Sequence, residues 1–239
     1  MGAVFGIIFL CIGIGAYALT GYYAGKSFKE SMESKNLHIK LAAGLVALWS
    51  LIKVVECFIA LFAKKGDGLL GVPFIGETIN ALDILTWWFF AYLYGAVYLG
   101  NEKQRMWNIV HYAYIGITLV WEYIFVLFII KGGTVSKAGV WVTFVLACIA
   151  WIAVCGFLFA LKSRVPIGEF LTSRRWTTLF LCLIVYIGLT TALVIEVMID
   201  LKFLLGFFYA LEWLISVLCV CGFFMISLTG FAKDSCPIK

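Results

Sequence analysis

Five ionisable side chains of this sequence fall deep inside apolar stretches: Lys53, Glu56, Glu122, Glu196 and Glu212. Asp83, His111 and Asp200 lie nearer the ends of such stretches. A charge at membrane depth costs on the order of 2.5 to 3.5 kcal/mol on insertion scales, so those that persist are paired or functional. Lys53 and Glu56 are three residues apart, which puts both on one face of a helix where they can neutralise each other. The chemistry open to them is a structural ion pair or a gating and proton-handling role. Glu122, between Trp121 and Tyr123, reads as a carboxyl that hydrogen-bonds to a facing helix. Glu196 and Asp200, one turn apart, are either a solvated rim or the mouth of a proton or cation path. No Cys-x-x-Cys, Cys/His cluster or His/Asp/Ser constellation is present, so neither a metal site nor catalysis is expected. His38, read as a loop residue, and His111 in the fourth apolar stretch offer no bis-His pair for haem.

The elements that position these groups follow from composition. Of 239 residues 64% are hydrophobic, 13% charged and three are proline, too little polar surface to wrap a water-soluble globule of this size. Spanning the hydrocarbon takes about 20 apolar residues per helix. Seven stretches qualify, at roughly 2–25, 41–63, 78–100, 108–130, 138–161, 176–199 and 203–231. The expectation is a single all-α domain, 1–239, embedded in a membrane and crossing it seven times, with all prolines outside the helices and few sharp kinks. The first stretch opens without a basic region and exceeds a signal-peptide core, so it reads as a retained helix. Most of the eight cysteines fall within the apolar stretches and read as small hydrophobes.

Alternate loops differ in basic residues. One set holds Lys26, Lys29, Lys35, Lys40, Lys103, Arg105, Lys162, Arg164, Arg174, Arg175, Lys233 and Lys239; the other holds Lys64, Lys65, Lys131, Lys137 and Lys202. The richer set stays inside, which puts the N-terminus outside and the C-terminus in. The net charge of +5 then belongs mostly to the inner face and suits anionic lipid headgroups rather than nucleic acid. Gly2/Gly6 and Gly21/Gly25 have the spacing at which helix backbones approach closely, within the chain or against a partner. Trp107, Trp141 and Trp176, near helix ends, read as interfacial anchors.

The segment Val72-Pro73-Phe74-Ile75-Gly76-Glu77 resembles the Val-Pro-Phe-x-Gly-Glu loop of the archaeal light-driven proton pumps, and Leu211-Glu212 is similar to their Leu-Asp in helix seven. With the helix count, length and spacing, the chain looks like a microbial (type I) rhodopsin. The resemblance implies a small outer hairpin at 72–77 and a central pocket. It also implies lost chemistry. The position of the retinal-binding lysine holds Ser216, and those of the helix-three arginine and counterion hold Leu85 and Trp88. Helix seven has no lysine between Phe203 and Phe231, so no retinal Schiff base is expected.

The functional expectation is a non-enzymatic, retinal-free, rhodopsin-like bundle serving as a structural or regulatory subunit of a membrane assembly, in contact with lipids and other membrane subunits. The alternatives are a passive proton or cation channel through the buried carboxyls, and a sensory receptor for a non-covalent ligand. No covalent cofactor is expected; a bound lipid or a non-covalent pigment is compatible with the sequence.

Overall fold

The computed structural model describes residues 2–31, 37–62, 73–130, 137–164, 173–199 and 207–231, all of them helical. The helices are α1 (Gly2–Ser31), α2 (Leu37–Phe62), α3 (Pro73–Ile130), α4 (Lys137–Arg164), α5 (Ser173–Ile199) and α6 (Phe207–Phe231). The chain of α3 breaks at Gly100, whose φ of 64° and ψ of −170° lie outside any helical region. Only glycine reaches that backbone conformation without strain. Two arms result, 73–99 and 101–130, and the described residues form seven helical segments. Six spans among the described residues are long and apolar enough to cross a membrane. The second arm of α3, interrupted by Asn108, His111 and Glu122, is not among those six.

The expectation that every proline stands outside a helix fails at Pro73, which opens α3. A first-turn position suits proline, because its missing N–H would have no intrahelical partner there and its φ is already helical. The same turn carries 73–77 as helix rather than as the hairpin implied by the rhodopsin likeness. Val72 is outside the described residues.

The first arm of α3 is the centre of the bundle. Residues 86–96 are buried without interruption, so every face of the arm is covered by protein. Of its apolar span 72% is buried, against 22% for α1 and for α2, whose outer faces are left to lipid. Within a bilayer lipid tails are as apolar as leucine, and helix association depends on packing rather than on a hydrophobic drive. Aromatic rings do that packing here. Trp87 stacks on Tyr186 of α5 at 5.0 Å, and Phe90 stacks on Phe224 of α6 at 5.1 Å. Tyr94 donates to Ser227 of α6 at 2.7 Å.

The two arms fold back on each other at Gly95. A Cβ there would lie 2.6 Å from the ring of Trp107, which instead lies against the bare backbone and donates Nε1–H to the Tyr92 carbonyl at 3.0 Å. Trp107 is thus 8% exposed and Trp176 only 3%, so neither is the interfacial anchor its place in the sequence suggested. Position near a helix end sets depth and leaves the facing direction undetermined. Trp141, 45% exposed, points outward.

Glycines of α1 divide in the same way. Gly21 closes on α2, where an added Cβ would come 3.2 Å from the Ser50 Cβ, whereas Gly6 and Gly25 meet nothing within 4 Å. The closest approach of α1 to another element among its described glycines is at Gly13, against the indole of Trp213 on α6. Gly2 is in the first turn of α1.

Candidate functional site

Among the described residues two polar clusters stand where α2 meets α3. The first is charged. Lys53 Nζ lies 3.1 Å from Glu56 Oε2 and 3.3 Å from Asp83 Oδ2. Lys53 and Glu56 share a face of α2 by their spacing; Asp83 reaches them from the first arm of α3. Trp49, one turn before Lys53, donates its indole N–H to the other Asp83 oxygen. Edge-on contacts of Trp49 with Tyr17 at 5.3 Å and Phe224 at 5.1 Å wedge that indole between α1 and α6. The arrangement fixes Asp83 from two sides and leaves Glu56 less constrained: its Oε1 is buried with no hydrogen-bond partner. With all three groups ionised the cluster carries one more negative than positive charge.

Asp83 is the participant that sequence reasoning missed. Its place near the end of an apolar stretch gives no sign of a partner on α2. The available signal was antiparallel register: two helices joined by a short connection place a residue late in the first opposite one early in the second.

The second cluster is neutral and stands toward the Gly100 end. Tyr92 donates to Asn108 Oδ1 at 2.7 Å and accepts from Gln104 Nε2 at 2.8 Å, while Gln104 also donates to Asn108 at 2.9 Å. Against this triangle lie both histidines of the chain. His38 is in the first turn of α2, contrary to the expected loop position, with its ring 4.4 Å from Tyr92 and 5.7 Å from His111. His111, 1% exposed, lies 4.0 Å from Tyr92 and 4.8 Å from Phe89. The pairing of residues 73 positions apart in sequence could not be read from either helix alone.

The remaining expected site residues are scattered. Glu122, 4% exposed on the second arm of α3, accepts from Thr143 of α4 at 3.3 Å, and Thr143 in turn accepts from Trp121 at 3.1 Å. That contact serves a different helix pair from the Lys53 cluster. Glu212 is half-buried on α6, beside Trp213. Asp200 and the side chain of Glu196 lie outside the described residues. Ser216 is buried on α6, Leu85 is half-buried, and Trp88 is buried against Tyr114 in a stack at 3.8 Å. Trp88 also directs its indole N–H toward the His111 carbonyl at 3.4 Å. Among the described residues no group of three or more His, Cys, Asp or Glu side chains is placed to hold a metal ion.

Comparison with protein-family models, with curated proteins and with solved structures finds no match for this chain.

Proposed function

We propose that the chain is a retinal-free, rhodopsin-like bundle crossing the membrane seven times, N-terminus outside, and acting without catalysis as a structural or regulatory subunit of a membrane assembly. The observation that carries this reading is the way the intramembrane charge closes on itself: Lys53 is held by Glu56 and Asp83, and Asp83 by Trp49. Buried charges committed to one another and ringed by packed aromatics join helices; they do not line a wet path. The same interior leaves no room at the counterion position of the rhodopsin likeness, where the Trp88 indole stacks on Tyr114. Ser216 offers no amine for a Schiff base.

For a subunit, the contact faces are those that the bundle leaves open. Gly6 and Gly25 qualify on α1, whereas Gly21 is already used against α2. The test is to purify the chain from its native membrane in mild detergent and identify stoichiometric companions, then repeat with Gly6→Leu and Gly25→Leu. Companions that are weakened by these substitutions, with unchanged recovery of the folded chain, are the expected result. A chain that is monomeric and alone in native membranes refutes the subunit role.

A second reading, passive proton or cation conduction, draws on Glu56 Oε1, buried with no hydrogen-bond partner among the described residues, and on the two carboxyl groups gathered at one lysine. Liposomes carrying the purified chain and a pH-sensitive dye decide between the two. A robust flux abolished by Glu56→Gln would promote conduction; flux at the level of empty liposomes is expected.

A further inference from the structure

His111 poses a problem that its helical neighbours do not solve. Its side chain is 1% exposed, yet Nδ1 has no hydrogen-bond partner among the described residues. A buried polar atom left unpaired costs about 1 to 3 kcal/mol, and a site that retains one calls for an unseen water, an ion or a chemical role. Beyond the nearer rings of Tyr92, Phe89 and Tyr112 stands the other histidine, its ring 5.7 Å away and turned 81° to that of His111. Two imidazoles binding one ion through nitrogens at about 2.0 to 2.1 Å place their ring centres roughly 5 to 6.4 Å apart, as the angle at the ion opens from tetrahedral to linear. The observed separation falls within that range.

Neutral side chains stand beside the rings. The Tyr92 ring is 4.4 Å from His38 and 4.0 Å from His111, and its hydroxyl is bonded to the Asn108 amide oxygen at 2.7 Å. Phe89 closes one side of His111 at 4.8 Å. Among the described residues no carboxylate or thiolate joins the group, which disfavours hard cations such as Ca²⁺ or Mg²⁺, since these take oxygen-rich carboxylate cages. Imidazole ligands suit copper or zinc.

We propose that His38 and His111 are the paired imidazole ligands of one bound copper or zinc ion. The ion would tie the start of α2 to the second arm of α3 and satisfy His111 Nδ1. This site is independent of the Lys53 cluster and of the subunit role.

The test uses the full chain purified in detergent, stripped with a chelator, and loaded separately with Zn²⁺ and with Cu⁺ under reductant. After desalting, metal content is measured by mass spectrometry and the affinity by competition with a chromophoric chelator. About one retained ion per chain is expected for at least one metal. His111→Phe, which keeps the ring contacts with Tyr92 and Phe89, and His38→Gln should each weaken retention by tenfold or more, in line with the 10- to 100-fold losses that follow changes even around the ligands. If His111→Phe fails to fold, His38→Gln in the first turn of α2 gives the same readout. Failure of the wild-type chain to retain either metal overturns the proposal. So does retention that is unchanged in the folded variants, which would place the ion on cysteines or carboxylates instead.

Discussion

The Lys53 and Tyr92 clusters share two helices and are separated by nine residues of α3, about 14 Å at helical rise, yet they meet the low dielectric by opposite means. At Lys53 the groups are charged, and each leans on a particular counter-charge: the ammonium lies 3.1 and 3.3 Å from two carboxylates. At Tyr92 the groups are neutral, and three side chains exchange hydrogen bonds of 2.7 to 2.9 Å in a closed triangle. A missing partner in a charged set strands a charge; in a neutral set it leaves the other two members bonded to each other. The charged cluster should therefore be brittle and the neutral one forgiving.

The largest expected effect breaks the charged cluster at its only cation. Lys53→Met leaves Glu56 and Asp83 facing each other without compensation and should cost about 3 to 5 kcal/mol, the usual loss when one member of a buried ion pair is removed. Thermal unfolding in detergent, followed by circular dichroism, measures it. Glu56→Gln belongs to the same comparison at the other extreme: the Lys53–Asp83 pair survives, the surplus negative charge disappears, and the change in stability should stay within about 1 kcal/mol, near the net worth of one hydrogen bond. Equal losses in the two variants would show that Lys53 does not organise the cluster.

Of intermediate size is Gly95→Ala. The added methyl would press on the Trp107 ring, and overpacking of this kind costs about 1 to 3 kcal/mol. The effect should be local to the Gly100 end, since Gly95 lets the second arm of α3 carry Gln104, Asn108 and His111 up to Tyr92. Hydrogen exchange should rise across the two arms near residues 92–111 and change little around Lys53. A loss of protection spread evenly over α2 would mean that the two clusters form one cooperative unit.

How much of this was legible in the sequence depended on range. Apolar runs of membrane length located the helices, because each run is a property of contiguous residues. The i,i+3 spacing gave the Lys53–Glu56 contact for the same reason. Asp83, His38 with His111, and Trp107 on Gly95 all depend on which face of one helix meets which face of another, and an all-round apolar helix such as the first arm of α3 has no polar stripe to announce its facing. The glycines show the limit clearly. Spacing singled out Gly2/Gly6 and Gly21/Gly25, but the close approaches are at Gly13 and Gly21; spacing reports that a close approach is allowed, and only the partner helix decides where it is made.

The smallest expected effect probes the forgiving cluster directly. Tyr92→Phe removes the hydroxyl that donates to Asn108 and accepts from Gln104, two bonds at 2.7 and 2.8 Å. The Gln104–Asn108 bond at 2.9 Å remains, so neither amide loses its last partner. The aromatic ring remains too, and with it the contacts to His38 and His111 at 4.4 and 4.0 Å and the stack with Trp107 at 6.3 Å. What is lost is the net value of neutral hydrogen bonds, about 1 kcal/mol, with no stranded charge to add a desolvation cost. Thermal unfolding should thus place Tyr92→Phe well above Lys53→Met. A loss matching that of Lys53→Met would mean that the hydroxyl supports more than the amide triangle and would overturn the contrast between a brittle charged cluster and a forgiving neutral one.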